Sequence, residues 1–275
     1  MPRTLGEVIN FHKKAAASYD NWLLAKFVND VTWDFMTPYL PESKAVILDA
    51  GGGTGLFAVP LAEKGHKVVV VDVCKDMLDI LRAKLDRSDV QHNIDIREDD
   101  IRDLSQFESE SFDLVLCLND PISMSYPNHE TAFSEIVRVA RKGAAIILSV
   151  KNKARYLYDS IGDLIEKFNT VDYDKRLEKT RSLDSLDFMK FKEMPVQTFT
   201  SETLKQLFLK NHVRVLRIAS TPVLIPFGSI TPDDIEKFLS LKQNYDFLLE
   251  MEKRCYKLPD FLGLGLELMA VGIKE

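Results

Sequence analysis

The chain has 275 residues, 45% hydrophobic and 28% charged, the balance of an ordinary globular protein with length for one large domain or one domain carrying an appendage. Its formal net charge of −6 excludes the broad basic field used to hold duplex nucleic acid or an anionic membrane, although a local basic patch remains compatible with it. Cys74, Cys117 and Cys255 are far apart and odd in number, and the five histidines are scattered. Neither a disulfide framework nor a zinc spacing results, and a cytoplasmic location is expected. Met1 to Ile9 has no sustained apolar core, and no run reaches the roughly 18 apolar residues of a membrane span, so neither a signal peptide nor a membrane segment is expected.

Residues 5–36 read as helical, with Phe11, Ala15, Tyr19, Trp22, Leu23, Phe27 and Val28 at helical spacing. Pro38 and Pro41 make a connector. Val46, Ile47 and Leu48 then form an apolar run that predicts a first strand over 45–49, closed by Asp49. Gly51, Gly52, Gly53 and Gly55 crowd the next positions, and Leu56, Phe57, Val59 and Leu61 begin a helix predicted over 55–64. Strand, glycine turn and helix start is how an open α/β sheet presents a ligand at the carboxyl end of its first strand. Glycines permit positive φ and let a ligand lie against the main chain.

A dinucleotide site asks for G-x-G-x-x-G. Counting from Gly51 and Gly53, its third glycine would fall on Leu56. The spacing is instead D-x-G-x-G-x-G, carried by Asp49, Gly51, Gly53 and Gly55. The plainer reading is a glycine-rich turn of any α/β domain.

Next, 66–72 (HKVVVVD) is apolar on both faces, as a central parallel strand would be, and ends in Asp72, 23 residues after Asp49. An acid at that tip can accept hydrogen bonds from sugar hydroxyls; a helix N-cap is the alternative. Leu78, Leu81 and Leu85 stripe the following helix. A short strand is predicted over 92–96. Then come Glu98-Asp99-Asp100-Ile101-Arg102-Asp103-Leu104, a fourth strand over 111–118, and Asn119-Asp120-Pro121 at its carboxyl end. A helix over 129–141 and a strand over 144–150 follow, with Arg141-Lys142-Gly143 as the turn between them. Residues 151–194 show helical spacing and no evident strand, with ten basic and nine acidic residues over 151–193. A helix from Ser201 to about Asn211, a strand over 213–219, a long helix over 232–256 and a last strand over 266–273 complete the chain.

The glycine motif resembles motif I of the class I S-adenosylmethionine-dependent methyltransferases. The segment 98–104 resembles that family's "GDAxDL", with Glu98 where glycine is usual. "SFDLV" at 111–115 and Lys142-Gly143 also match the family's pattern. Asp120-Pro121 matches only half of the N/D-P-P-Y/F sequence of amino-group enzymes acting on DNA or protein amides, since Ile122 and Ser123 depart from it. The resemblance covers 42–150 and 198–220 well, the terminal strand moderately, and 151–194 hardly at all.

The resemblance implies an α/β fold: a doubly wound, mostly parallel seven-stranded sheet whose last strand is antiparallel and closes the edge beside the sixth. A helical N-terminal lid would span 1–41, the core 42–150 and 195–275, and a helical cap 151–194 on the substrate side. It implies S-adenosylmethionine as cofactor, with S-adenosylhomocysteine as product. Asp49 would orient the ammonium of its amino-acid tail over Gly51, Gly53 and Gly55. Asp72 would take the ribose, Val73 and Met77 would border the adenine, and Asp100 and Ile101 would face the ring. Leu118, Asn119 and, from the lid, Tyr19 would complete the cofactor set.

Methyl transfer to a small-molecule acceptor is the expected activity. A tRNA-modifying enzyme and a non-enzymatic S-adenosylmethionine-binding protein remain alternatives, and monomer and homodimer stay open. Asp120 and His129 are the nearest candidates for a base, and none is assigned. No metal is expected.

Overall fold

The apolar run Val46–Ala50 forms β1, the centre of a seven-stranded sheet. Its neighbours are β2 (Lys67–Asp72) and β4 (Phe112–Cys117), both parallel to it, with β3 (Ile94–Glu98) beyond β2 and β5 (Ala140–Lys151) beyond β4. The sheet is completed by β8 (Val213–Thr221) and β9 (Glu267–Lys274), in the order β3-β2-β1-β4-β5-β9-β8. The computed structural model describes residues 5–15, 22–166, 168, 174, 188–191, 194–226 and 230–275.

Alternation along each strand divides the core. Ile47, Val70, Leu116, Ile147 and Val271 face one side, where they meet Phe27, Val31 and Phe35 of α2 (Leu23–Met36), Leu61 of α3 (Ala58–Glu63), and Leu78 and Leu81 of α4 (Lys75–Leu85). Ile235 and Leu239 of α9 (Pro232–Leu239) join the same cluster. Leu48, Val71, Val115, Ile146 and Ala270 face the other side. They pack with Ile122 of the one-turn α5 (Pro121–Met124), Phe133 and Ile136 of α6 (His129–Val139), and Leu204 and Phe208 of α8 (Ser201–Lys210). Strands apolar on both faces need helices on both faces, which is the doubly wound arrangement. The order reverses between β1 and β4, so the carboxyl tips of β1, β2 and β4 border the crevice where this sheet type binds ligands.

Several expectations are corrected. The last strand does not close an edge: β9 runs antiparallel between β5 and β8, and β8 is the edge strand. The single helix expected over 232–256 is broken at Ser240-Leu241 into α9 and α10 (Lys242–Cys255). Gln91–Asn93 turn as a 3-10 helix, which moves the third strand two residues on. Arg141-Lys142-Gly143 lie inside β5, whose pairing slips from Phe112↔Ala140 to Leu114↔Ala145, with Gly143 at φ 81°. The surplus residues form a bulge that only a residue tolerant of positive φ accommodates easily.

The segment expected as a wholly helical cap opens with α7 (Lys153–Glu166) but also contains a two-stranded pair, β6 (Phe188–Phe191) with β7 (Met194–Gln197). Met189 and Phe191 alternating with Lys190 and Lys192 is a period of two, too short a run to stand out beside helical neighbours. The N-terminal region holds α1 (Leu5–Ala15) and α2. Tyr19, expected near the ligand, lies outside the described residues, and Trp22 is 56% exposed rather than packed on the domain.

Candidate active site

Asp49 occupies the tip of β1. It is 1% exposed, and its Oδ2 makes no hydrogen bond among the described residues. Burial pushes its carboxyl up to about 7, with the charge of Asp72 adding to the effect. A buried acid with an idle oxygen is costly unless a cationic or donor group meets it.

The glycine loop wraps this carboxyl. Gly51, Gly53 and Gly55 all have positive φ, between 51° and 79°. A Cβ on Gly51 would lie 2.4 Å from Pro121 Cγ, so the loop is pressed against α5, which follows the tip of β4. A Cβ on Gly53 would lie 3.4 Å from Met77 Cε and 3.7 Å from Asp72 Oδ2, in the space between the loop and those two side chains.

Asp72, at the end of β2, accepts the Gly53 N–H on Oδ2 at 3.0 Å and the Cys74 N–H on Oδ1 at 2.8 Å. The second bond closes a turn ahead of α4, whose N-cap is Cys74 without a side-chain cap, so Asp72 is not the helix cap. Burial raises the Asp72 pKa, and the two N–H donors work against that rise. Each oxygen keeps capacity for a further donor. Met77 is buried at 3% exposure, while Val73 is half-buried beside it.

Asp100 lies just past the end of β3, with Arg102 as a partner. Arg102 holds its carboxylate from both sides, with Nε 2.9 Å from each oxygen and a further bond from its terminal nitrogen. The pair sits about a quarter exposed on the rim. Ile101 is buried beneath it. Nothing in the bare spacing of Asp100 and Arg102 announces this partner.

At the tip of β4, Leu118 is buried, and Asn119 and Asp120 both take left-handed backbone, at φ 62° and 71°. The Asn119 N–H donates to Ser149 Oγ at 2.8 Å. Asp120 is 2% exposed, and its Oδ2 pairs with Lys151 at the end of β5. Lys151 also reaches Glu267 Oε1 at 3.4 Å, across the Lys151↔Glu267 register of β5 and β9. Asp120 is raised by burial and by the Glu267 charge, against the pull of Lys151. Burial opposes the charge on Lys151, but the two carboxylates outweigh it and hold the ammonium well above its ordinary range.

Sequence reasoning missed Lys151 and Glu267; both are charged residues at strand ends that the topology brings to one edge. His129, the other base candidate, packs edge-on against Phe199 at 5.7 Å in the first turn of α6.

The N-terminal helix α1 lies against this edge. Ile9 O accepts from Cys74 Sγ at 3.9 Å, Lys13 Nζ is 3.7 Å from Asp76 Oδ1, and His12 faces Lys151 closely enough for burial and that charge to lower its pKa. Among the described residues no group of three or more His, Cys, Asp or Glu is arranged to hold a metal ion. In the same residues no helix is long and apolar enough to cross a membrane.

Residues 47–143 match the methyltransferase domain family. The chain is 28% identical over 137 residues to a ubiquinone biosynthesis O-methyltransferase of Hahella chejuensis, covering 49% of this chain and 56% of that one. It is 30% identical over 151 residues to a cypemycin N-terminal methyltransferase of a Streptomyces species, covering 53% and 58%. The chain therefore spans a little over half the length of these curated relatives. A crystal structure from Thermotoga maritima, described as a SAM-dependent methyltransferase and possible histamine N-methyltransferase, superposes with a TM-score of 0.57 at 18% identity, covering 97% of this chain and 99% of that one. Residues 47–143 thus carry a methyltransferase domain, and the seven-stranded sheet has the fold of the class I, Rossmann-like S-adenosylmethionine-dependent methyltransferases.

Proposed function

We propose that this chain transfers the methyl group of S-adenosylmethionine to a small-molecule acceptor. The observation that carries the reading is the buried, unpartnered Oδ2 of Asp49 beside the glycine loop. A ligand ammonium there would supply the missing donor, and a positive charge would favour the ionised acid. Asp72 would bind sugar hydroxyls while its Gly53 and Cys74 bonds fix its rotamer. Met77, Val73 and Ile101 would give apolar cover to a purine, with Asp100 at its polar edge. Leu118 and Asn119 would face the methyl-bearing end, and Tyr19 remains a lid candidate.

S-adenosylmethionine, when bound, supplies an already activated methyl group, so the protein's part is mainly orientation and exclusion of water. The acceptor would enter where α1 and the segment after β5 meet the tips of β4 and β5. The acidic net charge and the near-cancelling charges over 151–193 fit a small acceptor better than a polyanion. Two matched relatives are named as an O-methyltransferase and an N-terminal methyltransferase, so their names point to different acceptors.

The test is incubation with methyl-tritiated S-adenosylmethionine and two acceptor pools, a low-molecular-weight metabolite extract and total tRNA. Label is expected in the metabolite pool. Label confined to tRNA would overturn the small-molecule reading.

A further inference from the structure

Three charged side chains meet at the tips of β4, β5 and β9: Asp120 is buried, and Lys151 and Glu267 are largely covered, with side chains 12% and 14% exposed. Taking three ions out of water is expensive, and apolar residues of similar size fill such positions at less cost. Structural need does not account for them. β5 and β9 are already joined by seven paired residues from Ala145↔Ile273 to Lys151↔Glu267. Asp120 is also held in left-handed backbone, at φ 71°, an uncommon state for a residue with a side chain that recurs at functional sites.

Its position is specific. Asp120 immediately precedes Pro121, whose ring stands against Gly51 of the glycine loop. Its Oδ2 is taken by Lys151, while its buried Oδ1 finds no hydrogen-bond donor among the described residues. The carboxyl thus has one oxygen anchored by Lys151 and one without a donor, with the Glu267 carboxyl within hydrogen-bonding reach, next to the loop that the proposed function assigns to the cofactor.

Resting on that methyltransferase reading, we infer that Asp120 is the proton acceptor for the incoming substrate and that the substrate presents a hydroxyl group, such as a phenol. Amines and thiols are nucleophilic once deprotonated in water and need no dedicated base; a hydroxyl needs one. In the step, the substrate O–H bond breaks, the proton joins Asp120 Oδ1, and the electron pair stays on oxygen. That pair forms the bond to the methyl carbon as the carbon–sulfur bond breaks, its electrons leaving with sulfur. Lys151 and Glu267 are positioning residues: one fixes the carboxyl rotamer, and the two set its basicity with opposite signs.

The groups facing Asp120 are Lys151 and Glu267, Tyr156 of α7, Cys117 of β4 and, across Lys151, His12 of α1. Tyr156 is pushed up to about 12, first by burial, and Cys117 is pushed up by burial, so both are neutral near pH 8. Burial and the Lys151 charge lower His12, which is then neutral too. Asp120, raised by burial and by Glu267, is therefore the acid here whose ionised fraction still grows with pH above the usual carboxylate range.

The experiment uses the full chain saturated with S-adenosylhomocysteine and 4-nitrocatechol as probe, whose visible absorbance reports phenolate. The wild type is expected to bind the dye as phenolate at a pH where Asp120→Asn binds it as the neutral phenol. With S-adenosylmethionine, Asp120→Asn is expected to lose methyl transfer to the dye by about 10²–10⁴-fold, while its S-adenosylhomocysteine affinity stays within a few-fold. Asparagine also tolerates left-handed backbone, and retained S-adenosylhomocysteine binding certifies a folded site. Glu267→Gln should shift the rising pH limb of methyl transfer to lower pH, which a merely structural role would not do.

Three results overturn the inference: no dye binding by the wild type, dye ionisation and transfer unchanged in a cofactor-binding Asp120→Asn, or methylation of benzylamine but not of the dye. Failure of the wild type to bind S-adenosylhomocysteine at all would instead bring down the methyltransferase reading beneath it.

Discussion

Asp72 reaches across from β2 to the glycine loop of β1: its Oδ2 accepts the Gly53 N–H at 3.0 Å, so the acid and the loop hold each other in place. With Oδ1 taking the Cys74 N–H, the carboxylate is oriented before any ligand arrives, and each oxygen keeps a lone pair for one. Replacing Asp72 by alanine is expected to weaken S-adenosylhomocysteine binding by about 1.5–3 kcal/mol, the range for a hydrogen bond to a charged group. Calorimetry checks this, and an unchanged affinity would remove Asp72 from the site.

Asp49 makes the site pH-dependent. Its folded-state pKa of about 7 lies above that of an unfolded aspartate, so between about pH 4 and 7 the folded chain binds more protons than the unfolded one. Stability from this group is therefore lost as pH rises through that window. A rise of this size corresponds to about 4 kcal/mol. Denaturant unfolding should show Asp49→Asn gaining on the wild type from pH 4 to 7 and levelling off above. Ligand affinity should move oppositely: pairing an ammonium needs the ionised acid, so wild-type S-adenosylhomocysteine affinity should fall about tenfold per pH unit below 7. The Asp49→Asn variant would show no such slope.

Gly51 and Gly143 share a positive φ, 79° and 81°, but not their surroundings. A Cβ on Gly51 meets Pro121 at 2.4 Å, whereas one on Gly143 meets nothing within 4 Å. Both alanine variants bear the left-handed cost of about 1–2 kcal/mol. Gly51→Ala should lose about 1–3 kcal/mol more, the overpacking range, in urea unfolding. Equal losses would mean that Pro121 moves aside freely.

Asp100 is tied to Arg102 on the rim. If it also accepts from the adenine amino group, the wild type should prefer S-adenosylhomocysteine to the inosyl analogue, which lacks that amino group, by about tenfold or more. Asp100→Ala should bind the two alike. A wild type that does not discriminate would assign Asp100 to Arg102 alone.

The strands and the glycine loop were legible because their signals are local. A run such as Val68–Val71 is buried on both faces wherever the chain takes it, and three glycines with positive φ announce themselves by residue type. Asp49, Asp72 and Asp100 could be placed at strand tips from order alone. The cluster of Asp120, Lys151 and Glu267 was not legible, because it depends on β9 inserting between β5 and β8, a pairing over more than a hundred residues of chain. The break at Ser240-Leu241 and the β6–β7 pair were missed for the opposite reason: each is set by main-chain pairing or packing in a stretch whose apolar spacing still fits a helix.

The most direct measurement is a calorimetric titration of the full chain with S-adenosylhomocysteine, in the wild type and in the Asp49→Ala, Asp72→Ala double variant. Saturable one-to-one binding by the wild type is expected, with its loss in a double variant that remains folded. No binding by the wild type, or equal binding by both, would contradict a cofactor site at the tips of β1 and β2.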